Sequence, residues 1–422
     1  MKVIDFKNAS CKHCYKCVRS CSVKAIKVKD AQATIMDDHC VLCGTCLEVC
    51  PQNAKTFVSD LEKVKAFITM GEKTIVSLAP AYLGIFDYDK PGQVVDALLR
   101  LGFSEVRETA EGAAYVTEAY TRLLAEGQMK NIISTCCPSV NELVEKYYPE
   151  LVEYMAPVVS PMIAHGKLIK SMYGPDVKVV FVGPCIAKKQ EAEGDDRTTG
   201  FVDAVLNFEE IESWLQERDI SIRECEEKQP TNPDPKVNRL YPVTSGVISS
   251  VLAKKKVDSY KKIFVDGIED CREVFEDMKK GLIENCFIEA NMCEGGCVKG
   301  PAVNKLHISK YKATMVIEEQ VEKQDPAYPQ LAGNIDINKH FRSERIQDEM
   351  PTEEQITRIL KATGKYNKTQ ELNCGACGYP TCRDKAIAVF QGKAEQEMCL
   401  PHVYEKARSC PMWCWKLHLK SF

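Results

Sequence analysis

The chain lacks most of what marks membrane, exported and nucleic-acid-binding proteins. No run approaches the ~20 consecutive apolar residues that a bilayer crossing requires, and Met1-Lys2-Val3-Ile4-Asp5 opens without an apolar signal core or a twin-arginine pair. A soluble, cytoplasmic protein with no membrane partner is expected. Charge of one sign is also missing: the net charge is −4 and the pI about 6.1, which excludes a general nucleic-acid binder. The seven histidines are unclustered; His13 and His39 stand beside cysteines, and a solvent-facing position is expected for both. What is plentiful is cysteine, 22 in 422 residues. In a reducing compartment, thiols at this density read as metal ligands rather than disulfides. The length allows two or three domains, and 45% hydrophobic residues support at least one large core.

Eight of the cysteines fall in two matched runs. Cys11, Cys14, Cys17 and Cys21 are followed by Cys40, Cys43, Cys46 and Cys50, the last before Pro51, where the first run has Ser22. The spacing is that of a bacterial two-cluster ferredoxin, in which each fourth cysteine ligates the other cluster. Cys11, Cys14, Cys17 and Cys50 are assigned to one 4Fe-4S centre, and Cys40, Cys43, Cys46 and Cys21 to the second. Zinc is the alternative, but zinc sites seldom use four closely spaced cysteines twice. Residues 1–60 carry nine Lys/Arg against six Asp/Glu, a surface that could dock an acidic electron carrier or simply be solvated.

Five further cysteines lie in three islands: Cys136 and Cys137 in STCCP, Cys185 in GPCIAKK, and Cys293 with Cys297 in NMCEGGC. Each follows a short apolar run that reads as a buried strand: 131–133, 177–182 and 287–288. Strands are also expected at 73–78, 204–206 and 262–265, with helices over 208–215 and 270–280. Alternation of this kind predicts an α/β fold with mostly parallel sheets flanked by helices, and loops converging at the strands' carboxyl ends. Five thiols exceed the four that one cubane takes. Adjacent Cys136 and Cys137 can divide ligation from proton carriage, Lys188 offers a compact cation, and Gly295 and Gly296 let the backbone approach a bulky group.

In order and spacing the three islands resemble the cofactor signatures of the iron-iron (FeFe) hydrogenases, over roughly residues 1–305. The resemblance implies an H-cluster: a 4Fe-4S cubane on Cys137, Cys185, Cys293 and Cys297, the last bridging to a two-iron subcluster with carbonyl, cyanide and a dithiolate bridge. It makes Cys136 the thiol that passes protons, Lys188 the residue that hydrogen-bonds a cyanide, and Glu191 the glutamate of the same signature. The match is not complete. Val140 stands for a tryptophan, Gly183 and Asn291 for methionines, and Gly300-Pro301-Ala302 for a glycine run; fewer methionines imply a looser or wetter pocket. Ala156 replaces the serine of the outward proton relay, and of its glutamates only Glu118 is retained. The pattern is that of a divergent group.

Towards the end, Thr352-Glu353-Glu354-Gln355 is a capping box that opens a helix carrying Ile356, Ile359 and Leu360 on one face. Cys374, Cys377, Cys382 and Cys399 follow, resembling a small 4Fe-4S module of electron-transfer proteins; zinc is again the alternative. Cys410 and Cys414 read as free thiols or part of a further site, and Cys225, Cys271 and Cys286 as ordinary residues. The expected domains are a ferredoxin-like one at 1–60, the H-cluster domain at 70–365, the 4Fe-4S module at 368–405 and a tail at 406–422. The expected function is that of a ferredoxin hydrogenase interconverting H2 with protons and electrons, partnered by ferredoxin or another redox carrier and by maturation proteins. The alternative is a hydrogen sensor signalling through a partner chain, since no PAS, kinase or phosphatase domain is visible.

Overall fold

The computed structural model describes residues 2–6, 10–256, 258–303, 306, 308–322 and 328–409; Cys410 and Cys414 lie outside them. Two compact units emerge, one of residues 1–3, 41–44 and 57–345, the other of 4–40, 45–56 and 346–422. The second unit therefore joins the ferredoxin-like segment to the carboxyl-terminal module. It also claims the helix Glu353–Ala362, expected with the central domain. That helix buries Ile356 and Leu360 against Ala386 of the module, and its predicted Thr352/Gln355 capping box is present.

In the smaller unit, β1 (Ile4–Phe6) pairs with β4 (Lys55–Phe57), and β2 (Ile26–Lys29) with β3 (Gln32–Ile35). The internal repeat is visible in the backbone. His13 and Leu42, and likewise Lys24 and Asn53, hold left-handed φ angles between 46° and 55° at matching places in the two cysteine runs. Such conformations are unfavourable for non-glycine residues and survive only where the surrounding loop dictates them.

The larger unit contains two parallel sheets. One has the order β6-β5-β8-β9, from β5 (Thr74–Leu78), β6 (Glu105–Glu108), β8 (Lys178–Gly183) and β9 (Ala204–Asn207). The other runs β10-β11-β7, from β7 (Ile132–Ile133), β10 (Lys261–Asp266) and β11 (Cys286–Asn291). β5 is buried at every residue, as parallel strands covered on both faces must be. Its register with β8 pairs Leu78 with Val182, so Pro80 and Pro184 leave the sheet at one edge. Pairing of Ile133 with Ile288 does the same for the loops after β7 and β11. The helices Ala110–Glu126 and Pro161–Tyr173 pack tightly against each other beside the first sheet. Gly112 permits this approach: a Cβ there would lie 2.4 Å from Pro161 O and 2.7 Å from His165 Cβ.

Candidate metal centre

The three islands converge, carried by the two parallel sheets of the larger unit. Cys136 and Cys137 follow β7, with Pro138 at the first position of the helix Pro138–Tyr147. Cys185 follows β8, and Cys293 and Cys297 follow β11. Cys136, Cys137, Cys185 and Cys297 line one cavity of about 80 Å³ together with Lys188 and Asn291. Cys293 sits on the adjoining turn, closed by a hydrogen bond from Gly296 N to Cys293 O at 3.0 Å. Gly295 and Gly296 hold φ angles of 91° and 80°, which glycine alone adopts without strain.

Burial governs the electrostatics here. It pushes the Cys136 thiol up to about 12 and Cys185 up to about 11, and it raises Cys137 and Cys297 as well. Burial works against the charge of Lys188, yet the Glu191 carboxylate and the Cys185 sulfur hold it above the ordinary lysine value. Lys188 Nζ donates to Glu191 Oε2 at 2.7 Å and to Cys136 O at 3.1 Å. Glu191 Oε2 also accepts from Ser160 Oγ at 2.9 Å, while its Oε1 is buried without a hydrogen-bond partner.

Sequence reasoning missed the residue that faces Cys136. Glu118 points away, is 43% exposed and pairs with Lys254. Two positions on, Tyr120 is fully buried, and its phenol oxygen accepts from Thr135 N at 2.8 Å. The same hydroxyl shares a hydrogen bond with Cys136 Sγ at 3.2 Å, in which either group can donate. The space around Gly183 is likewise occupied: a Cβ there would meet the Phe181 ring at 2.6 Å, and Phe181 and Met162 both line the cavity. An aromatic ring from the same strand thus fills the volume that a methionine would take, so the pocket is not loosened on that side. Asn291 lines the cavity and donates to Glu289 Oε1 at 3.2 Å. Val140 and Ala156 are wholly buried.

In the smaller unit, Ala25 N reaches Cys21 Sγ at 3.3 Å and Ala54 N reaches Cys50 Sγ at 3.4 Å, so the fourth cysteine of each run takes the same N–H···S contact. Cys374, Cys377, Cys382 and Cys399 line one pocket with two buried lysines, Lys365 and Lys385. Lys365 Nζ donates to Cys399 Sγ at 3.3 Å. Cations facing four thiols suit the negative charge of a thiolate-ligated cluster. The module contacts the ferredoxin segment through Val28 N to Lys393 O at 2.9 Å. His39 is buried rather than solvent-facing and meets Asp348 Oδ1 at 3.1 Å; His13 is exposed. Cys225, Cys271 and Cys286 are buried thiols that donate to backbone carbonyls.

A parallel α/β scaffold with a thiol-lined cavity at its strand ends, in a chain that also carries two cysteine-cage modules, defines an iron–sulfur oxidoreductase. Residues 72–301, more than half of the chain, match the family model for the C-terminal domain of the iron-only hydrogenase large subunit. The chain belongs to the iron-only hydrogenase family. Residues 10–54 match a 4Fe-4S dicluster domain, and 370–401 a model described as an Fe-S cluster. Its cofactors are accordingly an H-cluster and 4Fe-4S clusters.

Iron hydrogenase 1 of Clostridium pasteurianum is 27% identical over 68% of this chain and 68% of its own length. The NADP-reducing hydrogenase subunit HndD of Solidesulfovibrio fructosivorans is 24% identical, over 64% of this chain and 56% of its own length. A periplasmic Fe hydrogenase large subunit of Nitratidesulfovibrio vulgaris is 28% identical, over 50% of this chain and 61% of that one. Among solved structures, the FeFe-hydrogenase of Chlamydomonas reinhardtii superposes with a TM-score of 0.53 at 17% identity, covering 68% of this chain and all of the other. The fold is therefore that of an FeFe hydrogenase. No helix among the described residues is long and apolar enough to cross a membrane.

Proposed function

We propose that the chain is a hydrogenase that interconverts H2 with two protons and two electrons, exchanging the electrons with a ferredoxin-like carrier. The observation that carries this reading is the cavity in which Cys137, Cys185 and Cys297 stand beside Cys136 and a buried Lys188. Cys137, Cys185, Cys293 and Cys297 would hold the H-cluster, which when bound supplies the metal chemistry on hydrogen. Around it, Cys136 holds a proton at Sγ, fixed in place by Tyr120 and Lys188. Lys188 presents a positive charge anchored by Glu191, and the apolar walls from Phe181 and Met162 exclude water. Cys11, Cys14, Cys17 and Cys50, then Cys40, Cys43, Cys46 and Cys21, and finally Cys374, Cys377, Cys382 and Cys399 would hold three further clusters that pass single electrons.

The test is infrared spectroscopy after maturation with the two-iron unit, together with a turnover assay on reduced ferredoxin. Bands of metal-bound carbonyl and cyanide are expected, along with hydrogen evolution. Cys136→Ala should keep the bands while turnover falls at least tenfold. Missing bands would reduce the chain to electron transfer, and unchanged turnover in the variant would remove Cys136 from the proton path. Bands without appreciable turnover would point instead to hydrogen sensing through a partner.

A further inference from the structure

We propose that Thr109, Ser77, His165 and Glu111 form a second proton conduit, leading from the cavity wall towards the outside by a path separate from Cys136. The inference rests on the hydrogenase reading, because the conduit needs protons to be made or consumed in the cavity. Thr109 lines the same cavity as Cys136 and Lys188. From there the contacts are continuous. Thr109 Oγ1 and Ser77 Oγ lie 2.8 Å apart, Ser77 Oγ is 2.7 Å from His165 Nδ1, and His165 Nε2 is 3.1 Å from Glu111 Oε2. Ser77 and His165 are wholly buried, whereas the Glu111 side chain is 8% exposed.

The direction of every hydrogen bond is determined from the outer end. Arg107 Nη2 donates to both Glu111 oxygens at 2.8 Å. Burial alone would raise the Glu111 carboxyl, but the His165 hydrogen bond and the charges facing it hold it below the usual range, so it is an ionised acceptor. His165 Nε2 must then donate. Burial lowers the imidazole, against the opposing pull of Glu111, and the remaining charges near it are Arg107 and Glu108. A neutral ring that donates at Nε2 accepts at Nδ1. Ser77 O–H therefore donates to Nδ1, and Thr109 O–H donates to Ser77 Oγ. Thr109 Oγ1 keeps a lone pair for a proton from the cavity.

One proton arriving at Thr109 displaces its hydroxyl proton to Ser77 and that of Ser77 to Nδ1, and the Nε2 proton passes to Glu111 and out. The proton count balances, no other bond changes, and rotation of the hydroxyls and the imidazole resets the chain. The reverse sequence serves proton uptake.

The test uses the full chain, with and without its cofactor. In the cofactor-free protein, 15N NMR should show His165 as a neutral ring protonated at Nε2; an imidazolium or an Nδ1–H tautomer overturns the proposal. In the matured Cys136→Ala protein, Ser77→Ala and Thr109→Val should keep the carbonyl and cyanide bands, lower the residual turnover at least fivefold and enlarge the solvent deuterium isotope effect. Thr109→Ser in the same background, which retains the hydroxyl, should keep the residual rate. A residual turnover and isotope effect unmoved by both loss variants, or no residual turnover in Cys136→Ala itself, would overturn the conduit while leaving the hydrogenase reading intact. A wild type that never turns over would overturn that reading first, and the conduit with it.

Discussion

Gly112→Ala gives a stability test whose sign is decided by the packing of two helices. Replacing glycine by alanine within a helix ordinarily stabilises by ~1 kcal/mol, through propensity and a stiffer unfolded chain. At Gly112 the added carbon would sit 2.4 Å from Pro161 O and 2.7 Å from both His165 N and Cβ. Ordinary contact is ~3.5 Å, so the helices must separate by about 1 Å. The atoms struck are mostly backbone and cannot swing aside. Overpacking of this kind costs ~1–3 kcal/mol. The same separation stretches the 3.1 Å bond from His165 to the charged Glu111, worth a further ~1.5–3 kcal/mol. Set against the helix gain, the net loss should be about 1.5–5 kcal/mol, seen as a melting transition of the larger unit lowered by roughly 3 °C or more. Thermal unfolding followed by circular dichroism reads this directly. A variant as stable as the wild type, or more so, would refute the close approach of the two helices.

Two other perturbations address the same unit. Glu108 is fully buried and accepts from Arg239 at 2.8 Å (Nε) and 2.6 Å (Nη2), so Glu108→Ala should take from the nearly buried guanidinium its buried partner, leaving only the exposed Asp234 on Nη1 at 2.7 Å, and destabilise by about 3 kcal/mol. Arg223→Ala, whose partners Asp87 and Asp89 are exposed, should leave the melting temperature unmoved. The pH test concerns Glu289, whose carboxyl burial pushes up from 4.5 to about 7. The folded protein holds this proton more tightly than the unfolded chain, so the contribution is complete below pH 4.5 and lost as pH rises through about 7. At 1.36 kcal/mol per unit the loss is about 3 kcal/mol. Urea unfolding at pH 5 and pH 8 should show the wild type losing that much more than Glu289→Gln; equal losses would refute the assignment.

The parts of the site that depend on local order were legible in the sequence. Each cysteine island follows an apolar strand, and parallel strands deliver their trailing loops to one edge, so STCCP, GPCIAKK and NMCEGGC announced themselves. The division of the strands between the two sheets was not legible, because nothing in KTIVSL or KIFV says which strands share hydrogen bonds. The Ser77–Thr109–Glu111–His165 chain escaped for a related reason. Its members come from a strand, a loop–helix junction and a second helix, with no shared spacing. A signal was present, though: Ser77 is a hydroxyl set within the apolar run IVSL, and His165 stands in the apolar stretch of PMIAHGKLI. Polar residues so placed must find partners when buried. Tyr120 carries no such signal, because a proton relay along a helix is expected of carboxylates, whereas here a phenol meets the thiol. The 345/346 division was hidden too, since the apolar stripe of Ile356 and Leu360 does not reveal which core it joins.

On the proposed reading, Lys188 accounts for the cavity as a receptor rather than a leftover void. A lysine only 8% exposed would normally surrender its proton, because an ammonium removed from water is expensive without compensation. Here Glu191 stands 2.7 Å away, but that oxygen is shared with Ser160 and the other has no partner, so the pair is held in place without being fully satisfied. The nearby sulfurs are thiols while burial keeps them protonated, and they become anions only on binding metal. The cation therefore gains its full set of partners when a sulfur-rich anionic group enters. Lys188→Met keeps the stem and removes the charge but strands the buried Glu191 carboxylate, so it is combined with Glu191→Gln; the double variant should fold nearly as stably as the wild type and retain far less of the two-iron unit after maturation. Full retention in that variant would mean that the charge serves the apoprotein alone.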